Sequence, residues 1–469
     1  MPEPQDTPRR RKGRRLTVGA AAAMALALTA AACGSDNSGS SSSATTAASA
    51  GTATTAAASS ATTAAAAATP AAGGASTTAG AAGGAPTATP LDKAGAADDT
   101  LPKLKIGFIN QEAGSVGTYP ENKAAAEAAV QFINKELGGV EKHAIDLDEC
   151  VVDGTVATSQ KCAQQMVDDK VLFVTGGLDN NMQAWYPILD PAGIPVIGGI
   201  PVAGADFNAK NSYMFIGGGA TTYPGLAAYI TMFMSNVKTV GILANDTPGA
   251  TAALPLVTKP LQAKNITVND VKVPTSQADW LAPFASVKDN DAIAVLVSSA
   301  NCISLAKARD SQQSTVPMVS VSTCYSASTL QGAGTSGLNG WTVNQYFDDP
   351  QGDAPDAKVY QDTMHKYAGA NANLAGFAPV VFSDLLTAYT TVLKPLGYAG
   401  DTTDKIVAKV KDPAGAKVFN GPNYKCAVAG APFAAICNYN MHWFAIKDGK
   451  LTNPTPWVDL TDTIKIANA

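Results

Sequence analysis

The sequence predicts an α/β protein built from two doubly wound parallel-sheet lobes, and three observations carry that prediction. Short apolar runs alternate with segments of helical period, as expected when buried parallel strands are joined by covering helices. The series then restarts. Thr239-Val240-Gly241-Ile242-Leu243-Ala244-Asn245 echoes Leu104-Lys105-Ile106-Gly107-Phe108-Ile109-Asn110. Finally, all 31 aromatic residues of this 469-residue chain (5 Trp, 13 Tyr, 13 Phe) follow Thr100. The first 100 residues have too little apolar bulk to offset their ordering entropy, so the folding unit begins at Leu101. Its 369 residues suit about two domains.

The first unit opens with a strand over residues 104–110 and a loop containing Gly114 and Gly117. Ala126, Ala129, Val130, Ile133 and Leu137 then mark one face of a helix, which Gly138-Gly139 stops. A strand at 144–147, a helix at 159–168 and strands at 171–175 and 194–197 follow. The second unit has a loop at 246–249, a helix at 250–264 and strands at 268–273, 292–297 and 318–322. In such sheets ligands bind beyond the carboxyl ends of the strands. Two lobes facing each other form a cleft that a hinge can close.

Before this body the chain reads as an address and a tether. Arg9, Arg10, Arg11, Lys12, Arg14 and Arg15 precede an apolar run ending at Leu28, too short to span a bilayer. Residues 1–32 are therefore expected to be a signal peptide; Arg14-Arg15-Leu16 leaves twin-arginine export open beside the general route. Ala30-Ala31-Ala32-Cys33 resembles the lipobox of bacterial lipoproteins, which implies that Cys33 carries the lipid. From Gly34 to Thr100, 57 of 67 residues are Ala, Gly, Ser or Thr, so residues 33–100 read as a lipidated Cys and a disordered linker. Such a linker reaches about 45 Å.

Charge excludes one class of partner. Without residues 1–32 the chain carries 27 basic and 36 acidic residues, and the body from Leu101 carries 26 and 32. No basic footprint for nucleic acid is present. Six cysteines remain in the body, an even number that suggests disulfides in an exported protein. Sequence-local closure favours Cys150–Cys162, Cys302–Cys324 and Cys426–Cys437 among the 15 possible pairings.

The order of several segments resembles a known family. Lys105-Ile106-Gly107-Phe108-Ile109, the Ala124–Asn134 run, Ala192-Gly193-Ile194-Pro195-Val196-Ile197, Thr239–Leu243 and Phe382-Ser383-Asp384-Leu385-Leu386-Thr387-Ala388 are similar to type I periplasmic binding proteins. The nearest group is the Leu/Ile/Val-binding-like components of ABC transporters. The resemblance implies three crossings between lobes, near Thr222, near Phe347 and around residues 426–437. It places 101–222 and 347–430 in an N-terminal lobe, and 223–346 and 431–469 in a C-terminal lobe.

Strand ends nominate the pocket: Gln111, Glu112, Asp179, Asn180, Gly199, Asp246, Asn301 and Tyr325. Each polar side chain has a plainer alternative. Asp179 and Asn180 suit the start of a helix near Met182, Asp246 suits the following turn, and Glu112 suits solvent. Trp185 shares a helical segment with Ile188 and Leu189 and suits a core. The family's amino-acid-binding pattern is not kept here. Leu178-Asp179 stands at the hydroxyl position, Gly198-Gly199-Ile200 forms the next loop, and Pro248 replaces an aromatic. No carboxylate falls near Cys324-Tyr325. The acids among the nominated residues favour a cation or polyol over an anion.

Catalytic readings find little support. His143, His365 and His442 lack metal-ligand spacing. Gly332-Ala333-Gly334-Thr335-Ser336-Gly337 fits a dinucleotide pattern but precedes a strand-like stretch at 340–346 instead of opening a helix. No Walker A sequence occurs, so the ATPase of any transporter is another chain. The expectation is a non-enzymatic, cofactor-free lipoprotein outside the cell membrane. It would deliver a small amino-acid-like or amide solute to an ABC permease, or alternatively signal to a membrane kinase or receptor.

Overall fold

The computed structural model describes residues 88–114, 117–412 and 414–469. The expected signal peptide, Cys33 and the linker up to residue 87 lie outside the described residues. The first unit runs β1 (Leu104–Gln111), α1 (Pro120–Lys135), β2 (Ile145–Val152), α2 (Val156–Asp168), β3 (Val174–Gly176), β4 (Val196–Ile197) and β5 (Ser212–Tyr213). Its five strands are parallel in the order β2-β1-β3-β4-β5. Pro120 opens α1 at a position whose N–H needs no partner, with Glu121 in the first turn and Lys135 in the last to complement the dipole. Thr155 caps α2 by accepting the Thr158 N–H.

The second unit runs α3 (Gly219–Phe233), β6 (Thr239–Asn245), α4 (Pro248–Gln262), β7 (Thr267–Val273), β8 (Ala292–Leu296), α5 (Ser299–Ser311), β9 (Met318–Ser320) and β10 (Trp341–Gln345). These strands are also parallel, ordered β7-β6-β8-β9-β10. With β6 taken as first of its unit, that is the same winding as in the first sheet. Gly107 and Gly241 show why the two opening strands look alike. A Cβ on Gly107 would collide with the Met166 side chain of α2, and one on Gly241 would come within 2.6 Å of Val287 Cβ. Each glycine lets a covering segment sit against the sheet.

The chain then returns to the first sheet. Helices α6 (Pro355–Tyr367), α7 (Ala378–Ala388) and α8 (Thr403–Val410), with the hairpin β11 (Ala416–Lys417) and β12 (Asn423–Tyr424), follow β10. Tyr360, Met364, Phe382, Leu385 and Phe419 share one core with Phe108, Ala129 and Ile133. Ala435 O accepts the Met214 N–H and Met214 O accepts the Cys437 N–H, so this stretch still runs beside β5. Then β13 (Asn440–Lys447) adds antiparallel to β10, β14 (Lys450–Thr452) pairs with it, and β15 (Val458–Asp459) and α9 (Thr461–Asn468) close the chain.

The passage from β10 is held tightly. Tyr346 OH meets Thr222 Oγ1 and donates to Gly218 O at 3.1 Å, while Asn344 Nδ2 donates to Thr222 O at 2.8 Å. Asp348 N–H donates to Asn420 O at 2.9 Å, and Asn420 Nδ2 donates back to Asp348 O at 2.9 Å. The expected third strand is shorter than its apolar run, although Leu172 N–H still bonds Lys105 O at 2.9 Å.

One expectation needs correcting. Residues 88–100, assigned to a disordered linker, are docked on the first unit. Thr89 donates its N–H and hydroxyl to the Asp356 carboxylate at 2.7 and 2.6 Å. Gly95 N–H bonds Glu136 O, Ala97 N–H bonds Asn134 O, and Leu91 packs against the core. Composition undercounts such a segment because its contacts are mainly backbone hydrogen bonds. All three expected disulfides are formed: Cys150–Cys162, Cys302–Cys324 and Cys426–Cys437. Among the described residues no helix is long and apolar enough to cross a membrane.

Candidate functional site

The loops beyond β1, β3 and β4 are knitted together at one end of the first sheet. Asn110 Oδ1 accepts from Leu178 N–H at 3.3 Å and Asn122 Nδ2 at 3.1 Å, and its Nδ2 donates to Tyr119 O at 2.8 Å and Glu112 Oε1 at 3.2 Å. Gln111, fully buried, donates to Gly117 O at 2.7 Å and accepts from Asn180 Nδ2 at 3.1 Å. Asp179 is also fully buried, and both its oxygens are engaged, by the Asn181 N–H at 2.9 Å and Trp185 Nε1 at 2.8 Å. Asp179 organises its own turn instead of capping the helical turn at Met182, whose N-cap is Asn181, and Trp185 belongs to the core.

Gly199 adopts φ 105° and donates its N–H to Asp384 Oδ2 at 2.6 Å. Asp384 lies on α7, and burial pushes its carboxyl up to about 8. The adjacent Gly198 needs both its φ of 74° and its missing side chain, because a Cβ there would sit 2.8 Å from Asp384 Cβ.

The second sheet repeats the device at its own opening strand. Asn245 Oδ1 accepts the Ser298 N–H at 2.8 Å, and its Nδ2 donates to Asn301 Oδ1 at 3.1 Å. Asn301 also accepts from Ser298 Oγ at 2.8 Å, so this buried amide is tied within its own lobe. Asp246 is exposed on the loop after β6. The eight nominated residues therefore split. Gln111, Glu112, Asp179, Asn180 and Gly199 gather at the first sheet, whereas Asp246 and Asn301 lie at the second.

Tyr325 reaches the space between the two units. A narrow cleft, with a cavity of about 10 Å³ that has room for one water molecule in this arrangement, is lined by Ser322, Tyr325 and Gln345 from the second sheet's carboxyl end. Ala375, Gly376 and Pro379, before and at the start of α7, line it from the other side, and Phe347 lies in the passage between them. Tyr325 OH donates to Gly449 O at 3.2 Å, and burial with the charge of Asp349 pushes its hydroxyl up to about 12.

Four polar residues escaped the strand-end reading, Gln345 and Ser322 lining this cleft and Glu121 and Asp349 lying next to lining residues. Gln345 ends a strand recognised from sequence, so the carboxyl-end rule pointed to it. Ser322 lies just beyond β9 and was readable in the same way. Glu121 lies in the first turn of α1, and Asp349 belongs to the passage after β10, away from any strand end. Glu121 is half-buried, and its Oε1 lies 3.1 Å from where a Cβ on Gly376 would stand. Burial raises the pKa of both acids. Among the described residues no group of three or more His, Cys, Asp or Glu could hold a metal ion.

A family model described as periplasmic binding protein matches residues 103–431. Solved structures agree in fold. The branched-chain amino acid transporter substrate binding protein LivJ from Streptococcus pneumoniae, in complex with isoleucine, is 17% identical; the match covers 76% of this chain and 99% of that one, with a TM-score of 0.61. A branched chain amino acid ABC transporter protein from Thermus thermophilus with bound valine is 12% identical, covers 79% and 100%, and scores 0.66. A fatty acid ABC transporter substrate-binding protein from Thermomonospora curvata is 13% identical, covers 81% and 96%, and scores 0.62. No curated protein matches the chain. Identities this low carry the fold and not the ligand, but the family model spans most of the chain: this protein belongs to the periplasmic binding protein family, with the type I architecture its sequence resembles.

Proposed function

We propose that the protein is an extracytoplasmic solute-binding lipoprotein that captures a small polar ligand between its lobes and delivers it to an ABC permease. The observation that carries this is the cleft between two sheets of identical winding, lined from both sides, in a chain of this family. Ligand binding would favour the closed arrangement, and the permease would recognise that arrangement. In this reading the first lobe extends through Cys437, because Cys437 is bonded to Cys426 and hydrogen-bonded to Met214. Lipid on Cys33 would hold the molecule at the outer face of the cell membrane.

A thermal-shift screen of amino acids, amides, polyamines and sugars tests the binding step. A ligand of the native state raises the midpoint by mass action; silence across the whole screen would sink the proposal. Incorporation of labelled palmitate, abolished by Cys33→Ala, tests the anchor.

A further inference from the structure

Gln345 poses a question that solute binding in general does not answer. Its residue is only 6% exposed, it lines the cleft, and its side-chain amide has no hydrogen-bond partner among the described residues. Its amide atoms are not sealed from solvent, so water meets them in the open cleft, and a ligand that displaces that water must match their hydrogen bonds. Beside it the Ser322 hydroxyl, half-buried, is likewise without a partner. The cleft thus holds neutral hydrogen-bonding groups aimed at a ligand.

Charge around the cleft is one-sided. None of the lining side chains is charged. Glu121 packs against lining Gly376, and Asp349 lies between lining Phe347 and Pro350 and acts on Tyr325. Among the described residues neither acid forms an ion pair; Asp349 accepts the Gln351 N–H, at 2.9 Å, and Glu121 is met only by its own backbone N–H. Lys123 is engaged with Glu149 at 2.8 Å and Lys417 with Asp356 at 3.0 Å, while Lys450, beside Gly449, acts on Asp353. Half-buried carboxylates without counter-charge attract a cation and repel an anion. Tyr325 and Phe347 add ring surface, which also favours positive charge.

We propose that the solute held between the lobes is a small organic cation, an ammonium whose charge lies toward Glu121 and Asp349 and whose hydrogen-bonding remainder is met by Gln345 and Ser322. The inference rests on the solute-binding reading and names its ligand class.

The test uses the full chain and calorimetric titration at pH 6.5 with four probes of one carbon skeleton: leucinamide, leucine, 4-methylpentanamide and 4-methylpentanoate. Choline and agmatine extend the cations to other shapes. At least one cation should bind about tenfold or more tightly than the uncharged and anionic probes. Glu121→Gln and Asp349→Asn should each weaken it about tenfold. Gln345→Glu, which adds negative charge without removing bulk, should strengthen it several-fold, a gain that a merely structural Gln345 would not give. Binding of leucine, 4-methylpentanamide or 4-methylpentanoate in preference to every cation overturns the cation assignment and leaves solute binding standing. Cation binding unchanged in both acid variants overturns the assigned residues. No binding by these probes or by any solute of the thermal-shift screen overturns the solute-binding reading, and the assignment with it.

Discussion

Asp384 accepts the Gly199 N–H at 2.6 Å, fastening the loop after β4 to a helix 185 residues later in the chain. Its other oxygen is buried without a partner, and burial pushes the carboxyl up to about 8. In the unfolded chain the same group titrates near about 3.9. The folded state therefore holds a proton that the unfolded state releases. This contribution to stability is fully present below about pH 4 and is lost as pH rises through about 8. Asp384→Asn keeps an acceptor for Gly199 and removes the titration. We expect the variant's unfolding free energy to gain on the parent between pH 4 and 9, by on the order of 2–5 kcal/mol. Parallel stability curves for the two proteins would contradict the assignment.

The two repeat glycines differ in what they face. A Cβ on Gly107 meets chiefly the flexible Met166 side chain at its sulfur, with Val174 Cγ2 at 3.2 Å, while one on Gly241 meets the branched Cβ of Val287. Met can swing aside and Val cannot. Gly107→Ala should cost about 1 kcal/mol and Gly241→Ala about 3 kcal/mol. Denaturant melts of the two variants would show the order, and equal costs would refute this account of the packing.

Asp356 ties three segments together. Its buried carboxylate accepts from Thr89, from Lys417 Nζ at 3.0 Å and from the Asn420 N–H at 3.1 Å. Asp356→Ala leaves these donors unmatched and should cost about 3 kcal/mol or more. Thr89→Val removes one hydroxyl bond and should cost about 1 kcal/mol. Both should speed hydrogen exchange over residues 89–98. Unchanged protection of that segment in Asp356→Ala would mean that other contacts suffice to hold it.

Cys302–Cys324 closes a loop with a sequence separation of 22 from the start of α5 to the turn just before Tyr325. Replacing both cysteines with alanine should destabilise the protein by about 3 kcal/mol. Because Tyr325 adjoins Cys324, ligand affinity should fall as well. Midpoint and affinity measured on the same variant separate the two effects; a large stability loss with intact affinity would mean that the cleft wall does not depend on the bond.

The repeated α/β plan was legible because its signals are local. Strand and helix periods, the Gly107 and Gly241 echo and the cysteine spacings all lie within short windows. The site was legible only in part. Asn110 stands one residue before the end of β1 and Asn245 ends β6, yet both amides spend their capacity on neighbouring loops, as do Gln111 and Asn301. Whether a polar strand-end residue serves a ligand or its own scaffold depends on which donors and acceptors lie within about 3 Å. Sequence spacing does not carry that information.

By itself the sequence determined the fold class and the disulfide pairs. Hydrophobic period and chain-local closure suffice for those. Only the tertiary structure decided that residues 88–100 dock, that Asp179 is closed off, and that Ser322 and Gln345 line one cleft with Glu121 and Asp349 beside its lining residues. These residues meet because the chain leaves the first sheet, builds the second and returns. Long-range passages of this kind bring together side chains far apart in sequence, and their burial and charge exist only once the lobes are assembled.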